Sequence, residues 1–177
     1  MAEYRDNSIE LQTKRLLLKP LGTQYLETVN AYALSLENTR YMGHFPKKNA
    51  AETLEYLQAI DEEWAKEAPS FYEFAVLYRG RHIGAVSVYF ENGAGELGWI
   101  IHRRFWGRGF ATEAARAIIE YFSAKGRRRF IAHCDTENTA SCQVMEKLGM
   151  TRTGIFGGRK NRSSEGESFE YQYELTV

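Results

Sequence analysis

The residues best placed to do chemistry in this chain lie between Trp99 and Ala114. An apolar run, Trp99-Ile100-Ile101, leads into Trp106-Gly107-Arg108-Gly109-Phe110-Ala111-Thr112. Apolar residues then recur at helical spacing at Ala111, Ala114, Ala115, Ile118, Ile119 and Phe122. A strand, a glycine turn and a helix in that order set successive backbone N–H groups at the positive end of a helix dipole. That is an anion site, and it suits a pyrophosphate. Gly107 and Gly109 let phosphate oxygens approach the backbone, and Thr112 adds a hydroxyl. On this segment alone, a tight strand–helix turn without a ligand is the competing account. Other phosphate motifs fail on spacing. No Gly-x-x-x-x-Gly-Lys-Ser/Thr occurs, and position 112 is Thr where a dinucleotide fingerprint needs its last glycine.

A second cluster begins at Asn138. In Asn138-Thr139-Ala140-Ser141, continuing to Leu148-Gly149-Met150, the asparagine is a capping residue and shares one face of a first helical turn with Ser141. Plain N-capping with a solvated Ser141 is the alternative there.

These segments need a frame. Thr13 to Leu21 reads as a first strand closed by Pro20 and Gly22, followed by helices over 23–36 and Ala50 to Lys66. The period then changes. Phe74, Val76 and Tyr78 alternate, Arg79-Gly80-Arg81 turns, Ile83 to Phe90 forms the next strand, Asn92 to Gly95 turns again, and Glu96 to His102 follows. After the helix from Gly109 come a strand over Arg129 to Asp135, a helix over Asn138 to Leu148 and an alternating tail, Phe169 to Leu175. The order is β-αα-βββ-α-β-α-β(β), with no repeat and no linker. It predicts one mixed α/β (α+β) domain spanning 1–177.

Composition narrows the function. The 177 residues carry 23 basic and 23 acidic side chains, so the formal charge is zero and the basic excess of a nucleic-acid binder is missing. Lys125 to Arg129 is the one basic run. It reads either as a solvated helix end or as a contact for a nucleotide 3′-phosphate. Cys134 and Cys142 make neither a disulfide framework nor a metal site, and His44, His82, His102 and His133 show no ligand spacing, so no metal is expected. Met1 to Asn7 is polar and lacks a signal-peptide core, and no apolar stretch is long enough to span a bilayer. The cytoplasm and no membrane partner are therefore expected.

Together the two clusters resemble the GNAT acetyltransferase superfamily. Its phosphate turn, Gln/Arg-x-x-Gly-x-Gly/Ala, falls on Trp106 to Ala111, matching at Gly109 and Ala111 and departing at Trp106. With that departure the chain is similar to the Rim-type branch, the ribosomal-protein N-terminal acetyltransferases and their drug- and metabolite-modifying relatives. The stretches that carry the likeness are Gly98-Trp99-Ile100-Ile101, Trp106 to Ala114 and Asn138 to Met150, within an element order running from residue 13 to 175. The resemblance implies a GNAT fold, a central, mostly antiparallel twisted sheet of about seven strands flanked by about four helices and splayed in the middle.

It also implies an activity, the transfer of an acetyl group from acetyl-coenzyme A to a primary amine by direct attack in a ternary complex. Ile100, Ile101 and His102 would pair with the pantetheine arm. Gly107, Arg108, Gly109, Phe110, Ala111 and Thr112 would hold the pyrophosphate, and Asn138 would touch the pantetheine region. Glu96, at the start of the splayed strand, becomes the candidate base. The tyrosine that many members use as acid is Met145 here, which leaves Ser141 as the replacement. Cys142 is not needed as a nucleophile. The acceptor is a protein N-terminus or a small-molecule amine, met by the first two helices and the last strands; the loop Gly157 to Arg162 is either a contact for an acidic acceptor or a flexible basic hairpin. The alternative function is a noncatalytic acetyl-coenzyme A or coenzyme A-binding module, which would keep the turn without depending on Glu96 or Ser141. An exposed strand edge leaves room for a possible homodimer.

Overall fold

Three hairpin-linked strands form the middle of the sheet, and their turns show why. The structure, a computed structural model, describes residues 9–177; Met1 to Asn7 lies outside them. Strands β1 (Leu11–Gln12) and β2 (Leu16–Pro20) precede helices α1 (Leu26–Ala33) and α2 (Ala50–Trp64). Then come β3 (Phe71–Tyr78), β4 (Arg81–Glu91) and β5 (Ala94–Ile101). Arg79 and Gly80 link β3 to β4, and Asn92 and Gly93 link β4 to β5, all four with positive φ of 50–77°. Two such residues give the tight turn whose twist matches that of paired strands.

Helix α3 (Phe110–Ala124), β6 (Arg129–Asp135), α4 (Thr139–Lys147), β7 (Thr151–Arg159) and β8 (Ser168–Thr176) complete the chain. The sheet order is β1-β2-β3-β4-β5-β6-β8-β7. All neighbours run antiparallel except β5 and β6, which are parallel and pair only at Gly95↔Phe130 and Glu96↔Ile131. Beyond Glu96 the two strands part. Strand β5 stays registered with β4 as far as Ile101, and β6 with β8 as far as Asp135, so neither can follow the other. The edge of β5 from Leu97 to Ile101 therefore faces a wedge.

Each face of the sheet carries helices. Helix α3 buries Ala114, Ala115, Ile118 and Phe122, and Phe122 meets Tyr72 and Phe90 at ring separations of 4.9 and 5.0 Å. Helix α2 buries Leu57 and Ile60. Each of the buried leucine, isoleucine and phenylalanine side chains stabilises the fold by about 1.5–3 kcal/mol.

The mixed, mostly antiparallel, splayed sheet matches the sequence reading, with eight strands rather than about seven. The extra one, β1, precedes the expected strand 13–21: the Thr13 hydroxyl closes a turn onto Leu16, which shortens that strand to Leu16–Pro20 and folds Leu11–Gln12 back along it. The first helix stops at Ala33 rather than Leu36. Leu34 and Leu36 are 40% and 66% exposed, so the apolar stripe has nothing left to pack on. Among the described residues no helix is long and apolar enough to cross a membrane, and no cluster of metal-binding side chains occurs.

Candidate active site

The glycine turn is braced from behind. Strand β5 ends at Ile101, and Arg103–Phe105 forms a short 3-10 turn. Gly107 and Gly109 then take positive φ of 72° and 75°, and Gly109 is the N-cap of α3. The Trp106 indole N–H donates to the Ile101 carbonyl at 2.7 Å, anchoring the turn to its strand. Arg15 donates to the Arg108 carbonyl at 3.0 Å and lies 4.6 Å over the Phe110 ring. Glu113 holds Arg15 at 2.6 Å. Burial pushes the Glu113 carboxyl up, but hydrogen bonds from Thr13 and Arg15 outweigh it and hold the group below its usual value. The turn's carbonyl side is thus fixed. Among the described residues, the N–H groups of Gly107 to Thr112 meet no backbone carbonyl, which is the arrangement an oxyanion needs.

Two clefts open beside the wedge. The first, of ≈ 610 Å³, runs along the end of β5, the turn and the start of α4; the second, of ≈ 740 Å³, lies between α2, β4, β5, β6 and the 158–160 segment. They share Tyr41, Met42, Trp99, Ile100, Asn138 and Ser141, the last four at the splayed strand and the start of α4. Ile100, Ile101, Gly107, Arg108, Gly109, Phe110, Ala111, Thr112 and Asn138, the residues expected to hold a cofactor, all line the first cleft.

His102 does not. Its ring turns back to accept the Arg104 N–H at 3.3 Å, because a 3-10 turn intervenes where a continued strand was expected. The Ile101 carbonyl is also taken, by the Asn38 amide at 3.0 Å as well as by Trp106. The Ile100 end of the strand is thus the part left open for the strand-like pairing expected with a pantetheine arm. The basic run Lys125 to Arg129 lies past the far end of α3, which is about 22 Å long, too far to meet a phosphate held at Gly109. Arg40, Arg108 and Lys147 are the cations that line the first cleft.

Asn138 caps α4, its Oδ1 accepting from the Ser141 N–H at 3.2 Å. The Ser141 hydroxyl is not simply solvated. It accepts the Trp99 indole N–H at 3.3 Å, so its own proton is free to be donated elsewhere. Glu96 lies with one carboxylate oxygen 2.8 Å from His133 Nδ1, and His133 Nε2 is 3.1 Å from Gln172. The hydrogen bond to Glu96 holds the imidazole above its usual pKa against partial burial. Sequence reading left His133 as an ordinary strand residue. Its partner is 37 positions away, and only the parallel register Glu96↔Ile131 sets them on one face.

The Gly157 to Arg162 segment is stapled, not a flexible basic hairpin. Arg159 binds Glu170 at 2.8 Å and the Tyr41 carbonyl at 2.7 Å, the Asn161 amide binds Asp135 at 2.6 Å, and Arg162 reaches Glu52 at 3.0 Å. Burial, with a hydrogen bond to Cys142 3.5 Å away, pushes the Cys134 thiol up to about 12, so it stays protonated and unreactive.

Comparison with known proteins shows the family. Residues 15–151 match the acetyltransferase (GNAT) domain family. The uncharacterized N-acetyltransferase YnaD of Bacillus subtilis is 30% identical over 155 residues, spanning 84% of this chain and 86% of that protein. A GNAT-family acetyltransferase structure from Bacillus anthracis superposes with a TM-score of 0.80 at 26% identity, over 95% of this chain and 98% of the other. The fold is also that of RimL, a ribosomal L7/L12 alpha-N-protein acetyltransferase solved with coenzyme A, at a TM-score of 0.84, 16% identity and coverage of 96% and 98%. An anion-binding glycine turn beside a splayed strand, in a chain that matches this family over most of its length, makes the protein a member of the GNAT acetyltransferases, an acetyl-coenzyme A-dependent N-acetyltransferase.

Proposed function

We propose that this one domain acetylates a primary amine by direct attack on the thioester, with both substrates bound together. The observation that carries this reading is the junction of the two clefts at Trp99, Ile100, Asn138 and Ser141. A thioester entering along the first cleft and an amine entering along the second meet there without a covalent intermediate. Acetyl-coenzyme A fits the residues present: the free N–H groups of the turn take the pyrophosphate, and Arg108 and Lys147 add positive charge. When bound, it supplies the activated acetyl group.

The chain's own residues do the rest. A free alkyl amine is mostly protonated at neutral pH, so a proton must leave before attack. The Glu96–His133 pair accepts it, directly or through water, at the mouth of the second cleft. The nitrogen lone pair forms the C–N bond, the nitrogen gives up its second proton to solvent, the C–S bond breaks, and the departing sulfur takes the hydroxyl proton of Ser141, which is regained from solvent. Trp99 is a positioning residue that holds this hydroxyl. Placement of the two substrates supplies much of the rate. A protein N-terminus, the acceptor of the alpha-N-protein acetyltransferase RimL, and a small amine both meet this chemistry.

The test is initial-velocity analysis of coenzyme A thiol release with a panel of primary amines. Intersecting lines are expected for a ternary complex. Parallel lines would require a covalent acetyl-enzyme and would overturn direct attack; amine-independent or absent release would leave a binding module. Ser141→Ala is expected to lower kcat about tenfold, with KM for acetyl-coenzyme A changed less than about twofold, since only the departing thiolate loses its donor. An unchanged kcat would remove Ser141 from the mechanism.

A further inference from the structure

Glu73, on β3, is 5% exposed, yet it lines the second cleft. One carboxylate oxygen accepts the Tyr56 phenol from α2 and the other accepts the Tyr89 phenol from β4. The Tyr32 hydroxyl is buried beside this group and has no hydrogen-bond partner among the described residues. Burial, then the charge of Glu73, hold its proton on.

The charges around the cleft are otherwise matched. Arg159 is paired with Glu170 at 2.8 Å, Lys160 with Glu167 at 3.7 Å, and His133 with Glu96 at 2.8 Å. His44 is held below its usual pKa by burial and by Lys47 and Arg159, and so stays neutral at pH 7. Lys47 and Glu73 act on each other through charge but form no ion pair, and the Lys47 ammonium rests 5.0 and 4.9 Å over the Phe45 and Tyr56 rings. Among the described residues, Glu73 therefore has phenols but no cation in contact, and burial pushes its carboxyl above the usual value against the phenol hydrogen bonds and the charge of Lys47. A buried carboxylate in that state is costly, and the cost is offset when a ligand cation joins it.

Its placement relative to the chemistry is fixed by the sheet. Glu73 is registered with Ser87, and Tyr89 with Glu96, so Glu73 and Glu96 lie on the same face two strands apart and two residues out of step. Strand spacing and rise put their Cα atoms about 12 Å apart, a span that a chain of about six carbons between two nitrogens bridges once both side chains reach inward. We propose that the second cleft selects amines carrying a second cationic group, ammonium or guanidinium, which seats on Glu73 while the reacting amine stands at Glu96 and Ser141. The inference rests on the acetyl-transfer reading of that cleft.

Isothermal titration with paired probes tests it, using the full chain with and without coenzyme A. One pair is hexamethylenediamine against hexylamine. The other is the dipeptide amide alanyl-lysine against alanyl-norleucine, each with a free amino terminus. The dication of at least one pair is expected to bind about tenfold tighter than its monocation, a difference of about 1.4 kcal/mol. Glu73→Gln is expected to abolish that preference while leaving hexylamine affinity within about twofold, since the amide keeps shape and loses charge. Tyr89→Phe, at a 40% exposed position that tolerates change, keeps the carboxylate and is expected to reduce the preference about threefold. A preference confined to the diamine assigns a small polycation as acceptor, and one confined to the lysyl peptide assigns a protein N-terminus followed by a basic residue. Equal binding within both pairs, no binding of any probe, or a preference that survives in Glu73→Gln overturns the inference. Titration of coenzyme A alone reports the first cleft, so a failure there counts against acetyl transfer and leaves the selectivity result to stand by itself.

Discussion

Gly109→Val is expected to weaken acetyl-coenzyme A binding at least about 100-fold, close to 2.7 kcal/mol, as read by calorimetric titration. A Cβ at Gly109 would meet only the Arg15 guanidinium, at 3.6 Å, so the effect does not come from a clash. It comes from the backbone. At φ 75° a β-branched residue is strained by about 1–3 kcal/mol and drives the N-cap toward an extended conformation. The amides of Gly107 to Thr112 then no longer converge. A control separates strain from function: Gly80 sits at φ 74° in the β3–β4 turn with nothing within 4 Å of its Cβ position. Gly80→Val is expected to cost similar stability while leaving coenzyme A binding unchanged. Wild-type affinity in Gly109→Val would reduce the turn to a structural feature.

Glu96→Gln is expected to lower kcat/KM about 10²–10³-fold, with affinity for acetyl-coenzyme A unchanged. The pH profile carries the sharper test. His133 is held above its ordinary 6.5 chiefly by its hydrogen bond to Glu96. Below that raised pKa the imidazole is protonated and the pair cannot take a proton from the amine; above it, the pair can. Wild-type kcat/KM should therefore rise with pH through a limb lying above 6.5. Removing the Glu96 charge removes the main cause of the shift, so the limb of the residual activity should move to lower pH. A limb that stays in place would show that the two residues do not act as a pair.

What the sequence disclosed was whatever local spacing controls. The phosphate turn was legible because two glycines, a preceding strand and a following apolar stripe are all contiguous. Strand β6 was read at its observed bounds, 129–135, because its flanks break cleanly. Hairpin turns at 79–80 and 92–93 announce themselves by the glycine that follows a residue able to adopt positive φ. What failed was long-range or depended on small backbone detours. The 3-10 turn at Arg103–Phe105 removed His102 from the cofactor cleft, and nothing in its composition distinguishes it from continued strand. The meeting of His133 with Glu96 depends on a parallel register of two residue pairs. The stapling of Arg159 required knowing that Glu170 and Tyr41 arrive from separate parts of the chain. No local spacing marks Glu73, because the phenols that close on it, Tyr56 and Tyr89, come from α2 and β4.

The short joint between β5 and β6 has a consequence for mechanics. Two registered pairs are the whole of the ladder between a five-stranded and a three-stranded half-sheet. A cofactor seated in the wedge, as proposed, would take up rungs at the Ile100 end and so act as a keystone as much as a reactant. At a concentration 100 times its Kd it adds about 2.7 kcal/mol to the folded state. Deuterium uptake at Leu97 to Ile101 and at Ala132 to Asp135 is expected to slow on loading, while β2 to β4 stay unchanged. Resistance to heat and to proteases then follows the supply of acetyl-coenzyme A, and a cell short of that metabolite holds a softer, shorter-lived enzyme.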